Sequence, residues 1–337
     1  MVKNSAKRFC LIENSEVDIN EDALRAAAES VLGERVRRVS RLPFGNVNAV
    51  FKVETKSRAC AFKVFRYEVW PEDGKLLWVE SQLTLRGVPH ARLIHYTRER
   101  AHFPFGFSVC EFAEGDNCKG LIRAGRLAPA AFGERAASFL KRVHAIGVAR
   151  YGYIGAGCGM EEDFTGWLLA CEVFDNLRKI DDGSRLAETL RPRFERAVEP
   201  VLRRFESRFA PALVHYDCTP KNGLLDAEGR LLFVDWDESV AAPWLMDYAA
   251  LTYWYSYTYK DGAARDREEF REAFLRGYGE ADFERDELRE IEHALHAAQA
   301  AGVLSYLYTV GDAQGFRRTR ELLFQLLETK PRGEAGR

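Results

Sequence analysis

Between Val36 and Cys110 the chain favours short runs in which β-branched and aromatic residues alternate with polar ones. After Ala130 it changes to longer segments whose apolar residues recur at helical spacing. In the first region RVRRVSRLPFG leads into NAVFKVE, a polar turn follows at Lys56-Ser57-Arg58, and ACAFKVF returns, a pattern that predicts a hairpin. From Pro71 to Arg86 the pattern turns helical. Leu76, Val79 and Leu83 share one stripe, Pro71 suits the first turn and Gly87 the stop. FGFSVCEF reads as a further strand, and the polar stretch Ala113-Glu114-Gly115-Asp116 as a connector. Amphipathic helices are predicted for AAFGERAASFLKRVHAI, for LRPRFERAVEPVLRRF and for the segments after Arg265. One island of strand, Leu213 to Val234, interrupts them. The outline is α+β, with a strand-rich N-lobe followed by a helical C-lobe that carries one small hairpin.

A chain of 337 residues is long for one core and suits two lobes of unequal size. The expected division is residues 1–112, residues 113–330, and a Gly/Arg/Glu-rich tail at 331–337 that frays. Hydrophobic residues at 47% and charged residues at 30% are a globular balance. A formal net charge of -2 supplies no basic field, which argues against nucleic acid as a partner. The seven cysteines are odd in number and irregularly spaced, with no C-x-x-C, so neither a disulfide framework nor a zinc site is indicated. Reduced thiols, an N-terminus without a sustained apolar region and the lack of a membrane-spanning run lead to the expectation of a cytoplasmic protein with no membrane partner.

The chemistry concentrates in LVHYDCTPKNGLLDAEGRLLFVDWDES. The apolar runs GLL and RLLFV flank Asp226-Ala227-Glu228-Gly229, a turn signal, so they pair antiparallel. Asn222 precedes the first strand and Asp235 follows the second, which brings both to one end of the hairpin, within reach of one cation. An amide oxygen and a carboxylate are hard ligands of the kind magnesium prefers. Asp217 lies a short loop upstream at that same end. Phosphoryl transfer needs this set: one carboxylate to orient or deprotonate the attacking hydroxyl, and oxygen ligands to hold magnesium on the phosphates.

The spacing H-x-D-x-x-x-x-N, followed by a hairpin and an Asp, resembles the catalytic loop of the aminoglycoside phosphotransferase and choline kinase superfamily, which shares the protein-kinase fold. The resemblance spans about Val36 to Tyr259. It implies a two-lobed kinase-like fold, with Asp217 as catalytic base, Asn222 and Asp235 as magnesium ligands, and His215 bracing the loop. Asp247 would cap the helix that follows. In the N-lobe, LPFGNVNAVFKVE resembles a short phosphate-binding loop with Gly45 and Asn48, and Lys63 would reach the phosphates. The partner of Lys63 would be a helix glutamate, with Glu80 favoured and Glu72 the rival. Main chain from Glu111 to Ala113 would meet the purine, leaving ATP and GTP both open. His144, in SFLKRVHAI, is expected to pack or brace a loop. Tyr216 and Lys221 depart from the family's usual residues, and Lys221 would touch a phosphate or the acceptor, or face solvent.

The implied activity is transfer of the γ-phosphate of ATP or GTP, with Mg2+, to a hydroxyl of a small molecule. The favoured acceptor is an antibiotic such as an aminoglycoside or a related amino sugar or nucleoside. Metabolite kinases of the choline, homoserine or methylthioribose type are the alternative, and a nucleotide-binding pseudokinase is another. Tyr253, Trp254, Tyr255, Tyr257 and Tyr259 are expected either to stack on an acceptor or to pack as core. Asp237, Glu238, Glu268 and Glu269 are a weak attraction for a polycation. A protein kinase is disfavoured, since Asp235-Trp236-Asp237 stands where D-F-G would, and no peptide-docking segment is evident.

Overall fold

The computed structural model describes residues 19–42, 47–68, 70–155, 160–259, 264–279 and 283–329. They form two compact units, the first comprising the described residues up to Gly115 together with Ile154, Gly155 and Val234–Glu238, and the second the remainder.

The first unit runs α1 (Glu21–Leu32), β1 (Arg38–Arg41), β2 (Ala49–Glu54), β3 (Ala59–Val64), α2 (Lys75–Leu85), β4 (Leu93–Thr97) and β5 (Phe107–Glu111). The strands make one antiparallel five-stranded sheet in the order β1-β2-β3-β5-β4. The β2–β3 hairpin turns where the sequence predicts, pairing Ala49 with Val64 and Glu54 with Ala59. Alternation along β3 buries Cys60, Phe62 and Val64. Phe62 stacks on Phe107 of β5 with ring centroids 4.7 Å apart, and Leu24, Ala27 and Ala28 of α1 join the same core. α1 has clear local signals that the sequence reading passes over: the Asn20 side chain accepts from the Asp22 and Ala23 N–H groups, and Gly33 closes the helix in the left-handed conformation. In α2 the stripe Leu76, Val79 and Leu83 is buried as expected. The helix begins at Lys75, however, not near Pro71. Gly74 ahead of it has φ 75, and a left-handed residue cannot continue a right-handed helix.

The second unit opens with β6 (Asp116–Asn117), α3 (Cys118–Arg123), α4 (Pro129–His144), β7 (Tyr151–Tyr153) and β8 (Met160–Glu161). Next come α5 (Phe164–Trp167), a π-helical turn at Leu168–Phe174, α6 (Asp175–Arg178), α7 (Leu186–Ala197) and α8 (Glu199–Phe205). β9 (Ala212–Val214), β10 (Gly223–Leu225), β11 (Leu231–Phe233) and β12 (Val240–Ala242) precede the closing helices α9 (Leu245–Tyr253), α10 (Ala264–Tyr278), α11 (Arg285–Thr309) and α12 (Ala313–Glu328). The predicted hairpin is β10–β11, with Gly223 opposite Phe233. Its turn is tied by the Asp226 carboxylate, which accepts from the Glu228 and Arg230 N–H groups. β6 adds a third strand to it. A separate four-stranded sheet, β8-β7-β12-β9, is built from strands of two or three residues, too short to show a period in the sequence. Among the described residues no helix is long and apolar enough to cross a membrane.

Candidate active site

The loop between β9 and β10 carries His215, Asp217 and Asn222. The Asn222 side-chain amide donates to Asp217 twice, to its carboxylate Oδ2 at 2.8 Å and to its main-chain carbonyl at 2.9 Å. Lys221 Nζ lies 2.9 Å from the same Oδ2. The loop is anchored from beneath by Asp247, which is fully buried. One Asp247 oxygen accepts from the His215 N–H at 2.9 Å and the other from the Tyr216 N–H at 2.7 Å. His144 Nε2, at 3.0 Å, completes the set, with its Nδ1 on the Tyr278 hydroxyl. Burial pushes the Asp247 carboxyl up, but His144 and the His215 main chain outweigh it and hold the group below the usual carboxylate range. The anchor lets Tyr216 sit at φ 66, which an L-residue adopts only at a cost. The Tyr216 hydroxyl in turn donates to Glu172 at 2.9 Å. The expected helix-capping role of Asp247 is thus corrected. Trp244 occupies the N-cap of α9, and Asp247, within the first turn, has both oxygens aimed at the loop.

In the first unit a charged cluster gathers around Lys63. Its ammonium reaches Asp235 Oδ1 at 2.6 Å and Asp237 Oδ1 at 2.9 Å. Burial alone would depress the ammonium, but the two carboxylates raise it well above the ordinary lysine value. Asp237 Oδ2 accepts from the Asn48 amide at 3.0 Å, and the Asp237 carbonyl from Lys75 Nζ at 3.0 Å. Asn48 uses its carbonyl oxygen to hold the Arg66 N–H at 3.2 Å. Asp235 stands at φ 71, directly before the short turn Trp236–Glu238 that carries Asp237.

Neither helix glutamate meets Lys63. Glu80 accepts from the Leu93 N–H at 2.8 Å and bonds His90 Nε2 at 3.0 Å, while Glu72 pairs with Lys75. That expectation is corrected for a geometric reason: Lys63 already has two carboxylates in reach, and Glu80 is turned to the β4 side of its helix. Glu111 ends β5 with its N–H on the Arg92 carbonyl, and the Phe112 N–H reaches the Ala59 carbonyl, so this main chain is tied to its neighbours up to the threshold of Ala113. Gly45 lies outside the described residues. Tyr253, Trp254 and Tyr255 are buried, and Tyr259 stacks on Trp254 at 4.9 Å, so most of that aromatic run is core. Glu268 and Glu269 are taken up by Arg267, Arg271 and Arg265. The residues that sequence reasoning missed are Lys75, absent from it, and Asp237, read as a weak attraction for a polycation and not as a partner of Lys63. The available signal was Gly74: a helix that starts after it puts Lys75 in the first turn, where a cation opposes the helix dipole.

A model of the phosphotransferase enzyme family matches residues 38–291, about three quarters of the chain. The chain belongs to that family. Curated proteins give no match. Among solved structures, the phosphotransferase is similar to a thermostable mutant of the aminoglycoside phosphotransferase APH(4)-Ia in ternary complex with AMP-PNP and hygromycin B. That match has TM-score 0.65 and 14% identity, covering 90% of this chain and 98% of the other. It is similar to the choline kinase LicA from Streptococcus pneumoniae, at TM-score 0.61 and 15% identity over 91% and 98% of the two chains. Spectinomycin phosphotransferase APH(9)-Ia follows at TM-score 0.59 and 13% identity, with 91% and 97% covered. At such identities the likeness establishes the fold, a strand-rich sheet unit and a helical unit of the kinase-like kind that the sequence led us to expect.

Proposed function

We propose that this phosphotransferase moves the γ-phosphoryl group of ATP or GTP to a hydroxyl of a small molecule. The observation that carries the reading is the loop at Asp217. Its carboxylate is part-exposed, fixed by Asn222 and Lys221, and mounted on a loop that Asp247 clamps from below. A carboxylate held this way orients the acceptor hydroxyl and takes up its proton as the oxygen attacks. Lys63 is suited to meet the phosphates, because it keeps its charge and sits on a rigid strand paired on both sides.

The donor set fits magnesium. Asn222 directs its amide N–H groups at Asp217, so the atom it can offer a cation is Oδ1, and the Asp235 side chain is 45% exposed. These are hard oxygen donors. Asn222 stands one residue before β10 and Asp235 two residues after its partner β11. Held by Asn222 and Asp235, magnesium would supply charge neutralisation on the phosphates. Gly45, Asn48 and the main chain of Glu111 to Ala113 remain our candidates for the rest of the nucleotide site.

For the acceptor we favour an antibiotic of the aminoglycoside or amino-sugar class, on the Asp235-Trp236-Asp237 segment and the lobe order. A metabolite acceptor is the second reading. It is favoured by the pairing of Glu268 and Glu269 with arginines and by Lys221 at the base, which leave little negative charge to draw a polycation. The deciding experiment is a coupled nucleotide-consumption assay with Mg2+ and ATP or GTP against aminoglycosides, nucleoside antibiotics, choline, homoserine and methylthioribose. Turnover with one acceptor should fall by roughly 10²–10⁴ in Asp217→Ala, with nucleotide affinity nearly unchanged. Full turnover in that variant would refute the assignment of Asp217.

A further inference from the structure

Helix α2 does something a helix avoids. Its first residue is a lysine, Lys75, whose side chain is 0% exposed. A buried ammonium at a helix N-terminus is opposed both by the dipole and by desolvation. The structure answers this with the Glu72 carboxylate at 2.5 Å, the Trp70 ring at 4.6 Å and the Asp237 carbonyl at 3.0 Å. An arrangement that breaks a local rule and is then compensated from several sides has a purpose in the tertiary structure. Here the purpose lies on the far side of Asp237. That residue is gripped by Lys75 at its carbonyl, by Asn48 at Oδ2 and by Lys63 at Oδ1, and its side chain is 7% exposed. The other anion on Lys63, Asp235, is far more open to solvent at 45%.

We propose that Asp237 is the positioning residue for Lys63, with Lys75 as the counter-charge that fixes Asp237. Helix α2 thereby contributes a cation, and the glutamate expected to hold the phosphate lysine is replaced by a carboxylate from the turn after β11. Asp235 is the exposed partner, able to leave Lys63 for another ligand. Asp237 is the buried one, and it keeps Lys63 aimed when Asp235 leaves. The inference rests on the reading of Lys63 as the phosphate-binding lysine.

The test is equilibrium binding of MgADP carrying a fluorescent ribose label, to the full chain and to Lys63→Met, Asp237→Asn, Lys75→Met, Glu80→Gln and the double variants Lys63→Met/Asp237→Asn and Lys63→Met/Lys75→Met. Lys63→Met and Asp237→Asn should each raise Kd by about tenfold or more, the loss of one charge-assisted contact. Lys75→Met should raise it in the same direction by less, and Glu80→Gln should stay within about threefold. The second substitution should add almost nothing in the Lys63→Met background, because both act through that lysine. A purely structural role would instead leave the losses additive, and additivity overturns the proposal. So does an unchanged Kd in Asp237→Asn, or a loss in Glu80→Gln that matches it. If Asp237→Asn does not fold, the Lys75→Met pair decides by the same criterion. Unchanged binding in Lys63→Met would overturn the phosphate-lysine reading itself and this inference with it. A loss in Lys63→Met without one in Asp237→Asn sinks only the inference.

Discussion

Asp247 illustrates how one buried side chain can organise a loop it does not belong to. Two main-chain N–H groups and an imidazole converge on its two oxygens, and no solvent reaches it. Deleting the carboxylate strands those donors, and an unsatisfied buried donor costs about 1–3 kcal/mol. Asp247→Ala should therefore lose roughly 2–5 kcal/mol of stability in urea unfolding, from two stranded N–H groups with some relaxation. Asp247→Asn, which keeps one acceptor, should lose less. Equal losses would mean that charge alone, and not the pair of acceptors, anchors the loop. Tyr216 belongs to the same account: its left-handed backbone is tolerated because Asp247 holds its N–H, while its hydroxyl ties the loop to Glu172.

Among the elements, α4 and α10 pack closely, and Gly133 of α4 and Gly277 of α10 both lie in the contact. A Cβ at Gly133 would come within 2.7 Å of the Phe270 carbonyl and 3.2 Å of the Phe274 nitrogen, both main-chain atoms of α10. Gly133→Ala should therefore destabilise by about 1–3 kcal/mol, although alanine is the better helix former by about 1 kcal/mol. Gly120 in α3 meets nothing within 4 Å, so Gly120→Ala should be neutral or stabilise by up to about 1 kcal/mol. Thermal midpoints moving in the same direction for both would contradict the packing argument. The amphipathic pattern of α4 announces a buried stripe, and Phe132, Ala136, Phe139, Leu140 and Val143 form it. Which partner that stripe would meet, and how closely, was not readable from the pattern.

Over the molecule as a whole, the buried network among α9, α10 and α11 sets a pH limit. His296 sits against Thr252, Glu292 and the rings of Tyr253 and Tyr257, with Arg271 and His293 near enough to be felt. Burial, helped by Arg271 and His293 and opposed by Glu292, depresses it to about 4. An unfolded histidine titrates near 6.5, so between these values the unfolded chain binds the extra proton. Stability from this group is complete above the unfolded value and falls as pH drops toward the folded one. The loss at pH 5 is about 2 kcal/mol. The lowered carboxyls, Asp247 and Glu292, contribute losses only at more acidic pH. Urea unfolding followed by far-UV circular dichroism should therefore show a weaker protein at pH 5 than at pH 7, with a shallower decline in His296→Gln. Parallel profiles would assign the pH dependence to another group.

What the sequence determined by itself was local. Alternation placed Lys63 on a strand and the Asp226–Gly229 turn set the hairpin, because these depend on neighbours a few residues apart. Only the tertiary structure decided the partners. Lys63 and Asp237 are 174 residues apart, and His144 and Asp247 are 103 apart. Nothing in a period or a spacing says which distant charge will be carried to a half-buried lysine. That choice is made when whole elements pack, since a buried ion settles on the counter-charge that packing brings within reach.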